Sequence, residues 1–229
     1  MPKGAGDSED VSSLIYMKII LIGPPGAGKG TQAEKLAVLK NVPRITTGDL
    51  FRRAVQEKTA LGLKVQSYLE KGALVPDGVV LDLMSERMSK ADCKAGFILD
   101  GFPRTLGQAE GLKKWMEKNS LRFDAVVVLE VPDDEAVIRI SGRRQCGACG
   151  SAYHVRFQPP KQAGVCDKCG GALIQRKDDQ KGTVRHRLQI YASDTAPLVR
   201  FYDQAGLLKK VDGLKKPDVV FQSICSLIK

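Results

Sequence analysis

The segment from Gly23 to Thr31 combines the residue types that bind phosphate groups. It reads Gly-Pro-Pro-Gly-Ala-Gly-Lys-Gly-Thr, follows an apolar run and precedes a helical pattern. Spaced glycines let backbone N–H groups converge on phosphate oxygens, the helix N-terminus adds partial positive charge, and Lys29 adds a full one. The sequence therefore predicts a phosphate-binding loop rather than an ordinary glycine-rich turn.

The metal-binding part of this loop departs from the common Gly-x-x-x-x-Gly-Lys-Ser/Thr pattern. Gly30 stands where a Ser or Thr hydroxyl usually holds magnesium. Two alternatives stay open: Thr31 holds the metal instead, or phosphates and water molecules hold it. Asp100 follows the apolar stretch 97–99, and we expect its carboxylate to orient the water molecules of a magnesium ion. A lone aspartate at a strand end is otherwise more often a turn former.

Four cysteines form two Cys-x-x-Cys pairs with the spacing of a four-thiolate zinc site: Cys146 with Cys149, and Cys166 with Cys169. A glycine follows each pair and permits a tight turn around the sulfurs. Four protein ligands close the coordination sphere, which predicts a structural metal, with iron or cobalt as alternatives to zinc. Disulfides are the competing interpretation, disfavoured in a cytoplasmic chain, and a redox pair would need a thioredoxin-like strand and helix nearby.

The other cysteines and the two histidines carry no comparable pattern. Cys93 and Cys225 lie in helical patterns, and we expect them to be small core residues. His154 and His186 are expected at the surface or partly packed, and not as metal ligands.

Composition and charge restrict the class of protein and of partner. The 229 residues are 43% hydrophobic and 27% charged, as in globular proteins, and no apolar run approaches the ~18 residues of a membrane span. Residues 1–16 lack a basic leader, so we expect a disordered tail there and a cytoplasmic protein without membrane contact. The net charge of +10 predicts anionic partners, and the 6% aromatic content favours small phosphate compounds over nucleic acid.

The elements that must position these residues alternate along the chain. Strand patterns occur at 43–46, 96–100, 125–129, 207–211 and, first of all, 18–22, and helical patterns at 29–40, 77–90, 105–118, 133–144 and 183–205. This alternation predicts an α/β fold with a parallel sheet covered by helices. Two stretches interrupt it: a helical insertion at 48–72, and a Gly-, Pro- and Cys-rich segment at 142–179 that we expect to be a separately stapled subdomain.

Together the motifs resemble one family, the adenylate kinases, in their long-lid bacterial form with a metal-binding lid. The resemblance spans Met17 to Lys229 and rests on the loop at 23–31, Thr-Gly-Asp-Leu-Phe-Arg at 47–52, Asp-Gly-Phe-Pro-Arg-Thr at 100–105, Gly-Arg-Arg at 142–144, Arg-Lys-Asp-Asp at 176–179 and Val-Asp-Gly at 211–213. It implies one P-loop kinase domain at 17–229 with a five-stranded parallel sheet, an AMP-binding insertion at 46–75 and a metal-binding lid at 142–179. It also implies a monomer that catalyses Mg²⁺-dependent, reversible transfer, ATP + AMP = 2 ADP.

The resemblance assigns site residues one by one. For ATP these are Gly26, Ala27, Gly28, Lys29, Gly30, Thr31, Arg139, Arg143, Ala152, Tyr153 and Lys215. For AMP they are Thr47, Arg52, Ala73, Leu74, Val75, Gly101, Phe102, Pro103, Arg104 and Gln108, with Arg176 and Arg187 bridging the phosphates of both substrates. The residues expected to stabilise the transferring phosphoryl group are Lys29, Arg104, Arg143, Arg176 and Arg187. Ala73 departs from the family, since some members carry Lys there.

Two residue pairs are four positions apart within predicted helices. Arg104 and Gln108 form one pair, Arg139 and Arg143 the other, and each pair is expected to share one helix face. The amide of Gln108 donates and accepts hydrogen bonds, which matches an adenine edge.

Two rival functions remain in view. A kinase for UMP or CMP would share the loop and the fold, although Thr47, Gln108 and the long lid favour AMP. A zinc-ribbon nucleic-acid binder with a P-loop ATPase would fit the positive charge, although aromatic residues are sparse near the cysteines.

Overall fold

A computed structural model describes residues 17–228 of the chain, so the tail predicted at 1–16 lies outside the described residues. The strands are β1 (Met17–Ile22), β2 (Arg44–Thr46), β3 (Gly96–Asp100), β4 (Ala125–Glu130), β5 (Arg143–Cys146), β6 (Ala152–His154), β7 (Leu173–Ile174) and β8 (Leu208–Asp212). The helices are α1 (Lys29–Lys40), α2 (Thr47–Gln56), α3 (Ala60–Lys71), α4 (Asp77–Met88), α5 (Leu106–Lys118), α6 (Asp133–Ser141), α7 (Lys181–Ile190), α8 (Pro197–Gln204) and α9 (Pro217–Leu227).

Five strands form the predicted parallel sheet, in the order β2-β3-β1-β4-β8. All six residues of β1 are buried, which is why the sequence shows a continuous apolar run there rather than an alternating one. Side chains of Ile19 and Leu21 join one core cluster, and those of Ile20 and Ile22 join the other. Successive side chains of a strand point to opposite faces, so the sheet carries a core on each face.

Helices cover both faces of this sheet. Buried residues of α1, α6, α7 and α9 belong to the first core, and buried residues of α4, α5 and α8 to the second. The α/β fold with a five-stranded parallel sheet flanked by helices is therefore confirmed. Because parallel strands point the same way, the carboxyl ends of β1, β2 and β3 lie at the same end of the sheet, where sheets of this kind bind ligands.

The interruption at 48–72 consists of two helices, α2 and α3, inserted between β2 and α4. They approach each other closely at Gly62, where an added Cβ atom would lie 2.1 Å from the carbonyl oxygen of Ala54. A larger side chain at position 62 would therefore force the two helices apart.

The interruption at 142–179 contains a second, antiparallel sheet in the order β6-β5-β7, and we call residues 142–179 the lid. The helix predicted at 133–144 is too long, since α6 ends at Ser141 and Arg143 and Arg144 belong to β5. Pairing of Arg143 with His154 across the ladder explains this, because long-range strand pairing overrides a local helical pattern.

The helical pattern predicted at 183–205 corresponds to two α-helices with a π-helical segment between them. Helix α7 begins slightly earlier, at Lys181, and residues Tyr191–Thr195 form the π-helical segment before α8. Single π turns of this kind inside α-helices frequently occur at functional sites. None of the helices described between residues 17 and 228 is both long and apolar enough to span a membrane.

Candidate active site

The predicted phosphate loop connects β1 to α1. Gly26 and Gly28 adopt positive φ angles of 87° and 90°, which favour glycine over other residues. A Cβ atom at position 26 would also lie 2.6 Å from the carbonyl oxygen of Ala136. The ammonium of Lys29 donates hydrogen bonds to the carbonyl oxygens of Gly23 at 2.7 Å and Pro24 at 2.8 Å. The loop thus curls around the nitrogen of Lys29.

The electrostatic environment of Lys29 is unfavourable for its charge. Burial is the largest influence on the pKa of Lys29 and lowers it, Asp100 raises it, and the nearby Arg104, Arg187 and Arg143 lower it. Together they bring the pKa of Lys29 from 10.5 to about 7. Asp100, Asp178 and Asp179 offset part of the positive charge of these cations. The remaining positive charge attracts anions, because each phosphate charge that enters removes part of the repulsion between the cations.

Two cavities adjoin above the loop. The first encloses about 510 Å³, including the part open to solvent, and is lined by Lys29, Gly72, Leu74, Gly101, Pro103, Arg104, Arg187, Tyr191 and Thr195 among others. The second encloses about 340 Å³ and is lined by Thr47, Gly48, Phe51, Leu69, Ala73, Leu74, Val75, Val80, Arg104 and Gln108. Arg104 and Leu74 line both cavities, so a group bound in one lies next to a group bound in the other.

In the second cavity each end of the Gln108 amide makes one hydrogen bond to a protein group, which leaves one N–H and one oxygen lone pair for a ligand. Its Oε1 accepts from the backbone N–H of Arg104 at 2.8 Å, and its Nε2 donates to Asp77 Oδ1 at 2.8 Å. Thr105 caps α5, its hydroxyl oxygen accepting from the N–H of Gln108 at 3.1 Å. Asp77, which the sequence analysis missed, therefore fixes the orientation of the amide. Nearby, the Thr47 hydroxyl donates to the Gly101 carbonyl at 3.3 Å.

Arg104 lies before α5 and not on it, so the prediction that Arg104 and Gln108 share a helix face is wrong. The Thr105 cap sets the start of the helix at Leu106. Arg104 is held instead by its own Nε, which donates to the Gly101 carbonyl at 2.8 Å, and by the Thr195 hydroxyl, which donates to the Arg104 carbonyl at 2.8 Å. Burial and, after it, the neighbouring charge of Arg187 lower the pKa of Arg104 to about 10.

Two lid-side arginines form ion pairs with neighbouring aspartates. Arg143 Nε donates to Asp179 Oδ2 at 2.8 Å, and Arg187 Nη1 donates to Asp178 Oδ2 at 2.9 Å. Asp179 is fully buried, so its charge depends on these partners. The predicted shared helix face of Arg139 and Arg143 is wrong, because Arg143 lies on β5.

Arg176 and the helical insertion of α2 and α3 meet at Asp49. Asp49 accepts a short hydrogen bond from Arg52, and Arg176 Nη2 lies 3.8 Å from Asp49 Oδ1. Burial raises the pKa of Asp49, but Arg52 and the neighbouring arginines outweigh it and hold the pKa below 3.8. Lys177 of the lid also lies 3.0 Å from Glu70 Oε1 on α3. The lid and the helical insertion are therefore in direct contact over the cavities.

The remaining residues predicted for ATP lie in three places. Arg139 pairs with Glu135 at 2.7 Å and donates to the Gly213 carbonyl at 2.8 Å, while Lys215 is exposed in the following turn. Ala152 is exposed on β6.

Tyr153 is buried inside the lid. Its hydroxyl lies 3.4 Å from Cys166 Sγ and accepts from the N–H of Asp167 at 2.8 Å. This side chain is used in packing the lid and not in lining the cavities given above.

Asp100 forms an ion pair that the sequence analysis did not anticipate. Arg44 donates to Asp100 Oδ2 from Nε at 3.1 Å and from Nη2 at 2.7 Å. Thr31, the alternative metal-holding hydroxyl, is exposed at the start of α1. Of these two candidates, the carboxylate is the one whose position is fixed by a neighbouring side chain.

The four lid cysteines come together as their spacing predicts. All four Sγ atoms lie within 4.8 Å of one another, with 3.5 Å from Cys146 to Cys169 and 3.6 Å from Cys149 to Cys166. These separations fit a tetrahedral zinc–thiolate site, where Zn–S bonds of about 2.3 Å place sulfurs about 3.8 Å apart. None of these four sulfurs forms a disulfide, and the glycines after the second cysteines adopt φ angles of 74° and 72°.

Known proteins resemble this chain over most of its length. A sequence model of the family described as adenylate kinase matches residues 21–207. A protein named adenylate kinase from Carboxydothermus hydrogenoformans is 51% identical over 208 residues, covering 91% of this chain and 97% of its own. Adenylate kinases from Syntrophobacter fumaroxidans and Clostridium tetani are 49% and 47% identical, each covering 93% of this chain and 100% and 98% of their own. By both the family match and these relatives, the chain belongs to the adenylate kinase family.

Proposed function

We propose that the two adjoining cavities divide the substrates of the family reaction, ATP + AMP = 2 ADP, between them. The phosphate loop with the first cavity takes ATP, and the cavity beside Gln108 takes AMP. The observation that carries this assignment is the sharing of Arg104 by both cavities. A phosphoryl group bound at Lys29 then lies next to the acceptor phosphate, as direct transfer requires.

Positioning and charge neutralisation account for the chemistry. Phosphoryl transfer passes through a loose transition state with charge on the transferred oxygens, so the protein needs no nucleophile of its own. Lys29 holds the transferring group from the loop side, and Arg104 and Arg187 from the first cavity. Arg143 and Arg176 approach from the lid, where guanidinium groups match phosphate oxygens with two parallel hydrogen bonds. Contact of the lid with the insertion excludes water that would otherwise hydrolyse ATP.

Magnesium, when bound with ATP, supplies further positive charge at the transferring phosphate. Asp100 is the residue that fits this role, because Arg44 occupies its Oδ2 and, within residues 17–228, no hydrogen bond goes to its Oδ1. A carboxylate oxygen is a suitable acceptor for water molecules bound to magnesium.

Product analysis tests the proposed function directly. Purified protein is incubated with MgCl₂, ATP and, in parallel, AMP, UMP, CMP or GMP, and the nucleotides are separated by chromatography. We expect ADP from ATP plus AMP, reversibly and without free phosphate. Formation of UDP or CDP would change only the base assigned to the second cavity, whereas phosphate release without a diphosphate product would contradict the proposed transfer.

Substitution of Gln108 tests the assignment of the AMP base. Gln108→Leu removes the N–H and the oxygen lone pair that the protein contacts leave for an adenine edge. We expect the KM for AMP to rise roughly 10- to 100-fold, because hydrogen bonds worth about 1 kcal/mol each are lost. Discrimination between AMP and the other monophosphates should fall with it. Initial rates with each monophosphate measure both quantities.

Thr59→Ala is the matched control, since it removes the cap of α3, where the Thr59 hydroxyl accepts from the N–H of Gly62 at 3.0 Å, and Thr59 lines neither cavity. It should cost about 1 kcal/mol of stability without changing the preference for AMP. If Gln108→Leu lowers the melting temperature as Thr59→Ala does and the base preference stays unchanged, Gln108 stabilises the fold and does not contact the base.

The finer features of the proposal concern the metal, the oligomeric state and the location. Four soft thiolate ligands support zinc as the structural metal of the lid, with iron or cobalt as alternatives. Both cavities are lined by one chain, which supports a monomer as the active form. Four thiols at metal-binding distance fit a reducing compartment and so a cytoplasmic protein. Elemental analysis and sedimentation of the purified protein test the first two.

A further inference from the structure

Arg44 is placed by the edge strand of the main sheet next to the proposed magnesium carboxylate. In the register of β2 and β3, Thr46 stands opposite Asp100, and Arg44 lies two residues earlier on the same face of β2. The long side chain of Arg44 reaches back to Asp100, and both hydrogen bonds end on Oδ2. The side chain of Asp100 is 9% exposed and that of Arg44 is 29% exposed, so this ion pair is largely shielded from water.

The Arg44–Asp100 ion pair lies next to Gly30, the residue at which the phosphate loop departs from the common pattern. A Cβ atom added at Gly30 would lie 3.1 Å from Nη2 of Arg44 and 3.4 Å from Oδ2 of Asp100. A side chain at position 30 would therefore crowd the guanidinium of Arg44. The arginine–carboxylate pair lies beside the position where the common pattern has a metal-binding hydroxyl.

The two oxygens of Asp100 are not equivalent. Oδ2 takes both hydrogen bonds of Arg44, while within the described part of the chain Oδ1 takes none. Two hydrogen bonds from a planar guanidinium fix the rotation of a carboxylate and keep it charged. Two further cations, Lys29 and Arg104, lie near enough for their charges to interact with that carboxylate. Without Arg44, Asp100 would be free to turn toward Lys29, the residue assigned to the phosphate of ATP.

We propose that Arg44 is a positioning residue of the reaction, which holds Asp100 so that Oδ1 faces the hydrated metal ion and Lys29 stays available for phosphate. This inference rests on the proposed function, since it assumes that Asp100 orients water molecules of the metal. Residues that hold a metal-orienting group in place commonly change metal affinity 10- to 100-fold when replaced.

The test measures metal affinity without turnover. The protein is saturated with AMP and with the β,γ-imido analogue of ATP, Mn²⁺ is titrated in, and free Mn²⁺ is followed by its EPR signal. We expect Arg44→Met to raise the Mn²⁺ dissociation constant about 10-fold and Arg44→Lys to raise it less, because lysine keeps the charge but not the two-point hydrogen bond.

Three further variants make the result specific. Asp100→Asn should raise the Mn²⁺ dissociation constant at least as much as Arg44→Met, and adding Arg44→Met to Asp100→Asn should change it no further, since Arg44 acts through that carboxylate. Arg87→Met is the matched control, because Arg87 forms a comparable pair with Asp92 at 2.7 Å, away from both cavities. Its Mn²⁺ affinity should equal that of the unchanged protein.

The variants distinguish failure of the metal role of Asp100 from failure of the positioning role of Arg44. If Asp100→Asn leaves the Mn²⁺ affinity unchanged, the metal role of Asp100 in the proposed function fails, and the inference fails with it. If Asp100→Asn weakens Mn²⁺ binding and Arg44→Met only lowers the melting temperature, Arg44 merely joins β2 to β3 and the inference alone fails. Tighter Mn²⁺ binding in Arg44→Met would show that the charge of Arg44 mainly repels the metal ion, which would overturn the proposal. Additive effects of Arg44→Met and Asp100→Asn in the double variant would show that Arg44 does not act through Asp100, which would also overturn it.

Discussion

Replacement of Lys29 by methionine is expected to lower kcat by roughly 10³-fold, because the transferring phosphoryl group loses the cation of its binding loop. Methionine keeps the apolar stem of the side chain, so the loss is one of charge and of hydrogen bonding rather than of packing. Coupled measurement of ADP formation at saturating ATP and AMP gives kcat. Lys64→Met, which removes an exposed lysine of α3, is the control and should leave kcat unchanged.

The same substitution should stabilise the ligand-free protein in a pH-dependent way. Burial lowers the pKa of Lys29 to about 7 in the folded chain, against an ordinary value of 10.5. Between these values the unfolded chain binds more protons, so the stability of the unchanged protein rises with pH across that window, and the full cost of burying the charge applies below it. Lys29→Met carries no such cost, and its melting temperature should exceed that of the unchanged protein at neutral pH.

The difference in melting temperature between Lys29→Met and the unchanged protein should shrink as the pH approaches 10.5, the ordinary pKa of a lysine. Thermal melting followed by circular dichroism at several pH values measures it. Near-normal turnover in Lys29→Met would refute the assignment of the phosphate loop, and a large loss of stability at neutral pH would refute the account of Lys29 as a cation held at a cost.

Loss of two thiolates from the lid is the second large change we expect. The double substitution Cys166→Ser and Cys169→Ser leaves two ligands, too few for a closed tetrahedral site, and bound metal should be lost. A metal present at 1,000 times its dissociation constant stabilises a fold by about 4 kcal/mol, which for a chain of this size corresponds to roughly 10 °C in the melting temperature. Elemental analysis and calorimetry measure the two effects.

Cys225→Ser is the control, because Cys225 lies on α9 outside the lid and should affect neither the metal nor the melting temperature strongly. Below the melting temperature of the altered lid, part of the transfer activity should remain, since none of the four lid cysteines lines either cavity. Complete loss of activity with unchanged metal content and stability would be incompatible with a structural metal.

Features encoded in short stretches of sequence could be predicted well. The burial of β1, the turn glycines of the phosphate loop and the two Cys-x-x-Cys pairs each depend on residues a few positions apart, and local geometry is sufficient for them. For the same reason the alternation of strands and helices indicated the sheet of the main fold. The helical pattern at 183–205 predicted helix correctly but did not reveal the π-helical segment within it.

Features that depend on distant partners could not be predicted. Arg143 lies on a strand because it pairs with His154 of the next strand, and no helical periodicity contains that information. Asp77 approaches Gln108 only when α4 packs beside α5, and Arg44 meets Asp100 only when β2 joins the edge of the sheet. Such contacts form by packing of separate elements, and a single sequence carries no signal of their pairing.

The number of residues in the π-helical segment Tyr191–Thr195 determines how the elements on either side of it are oriented. It follows the helix that carries Arg187, and its last residue holds the backbone of Arg104. Each residue of an α-helix advances it by about 100°, so loss of one residue here would turn α8 and Thr195 away from their partners. We therefore expect deletions in this short segment to be tolerated less well than deletions in ordinary surface turns. The reason is the orientation of α8 and Thr195, and it does not require contact between the segment and a nucleotide.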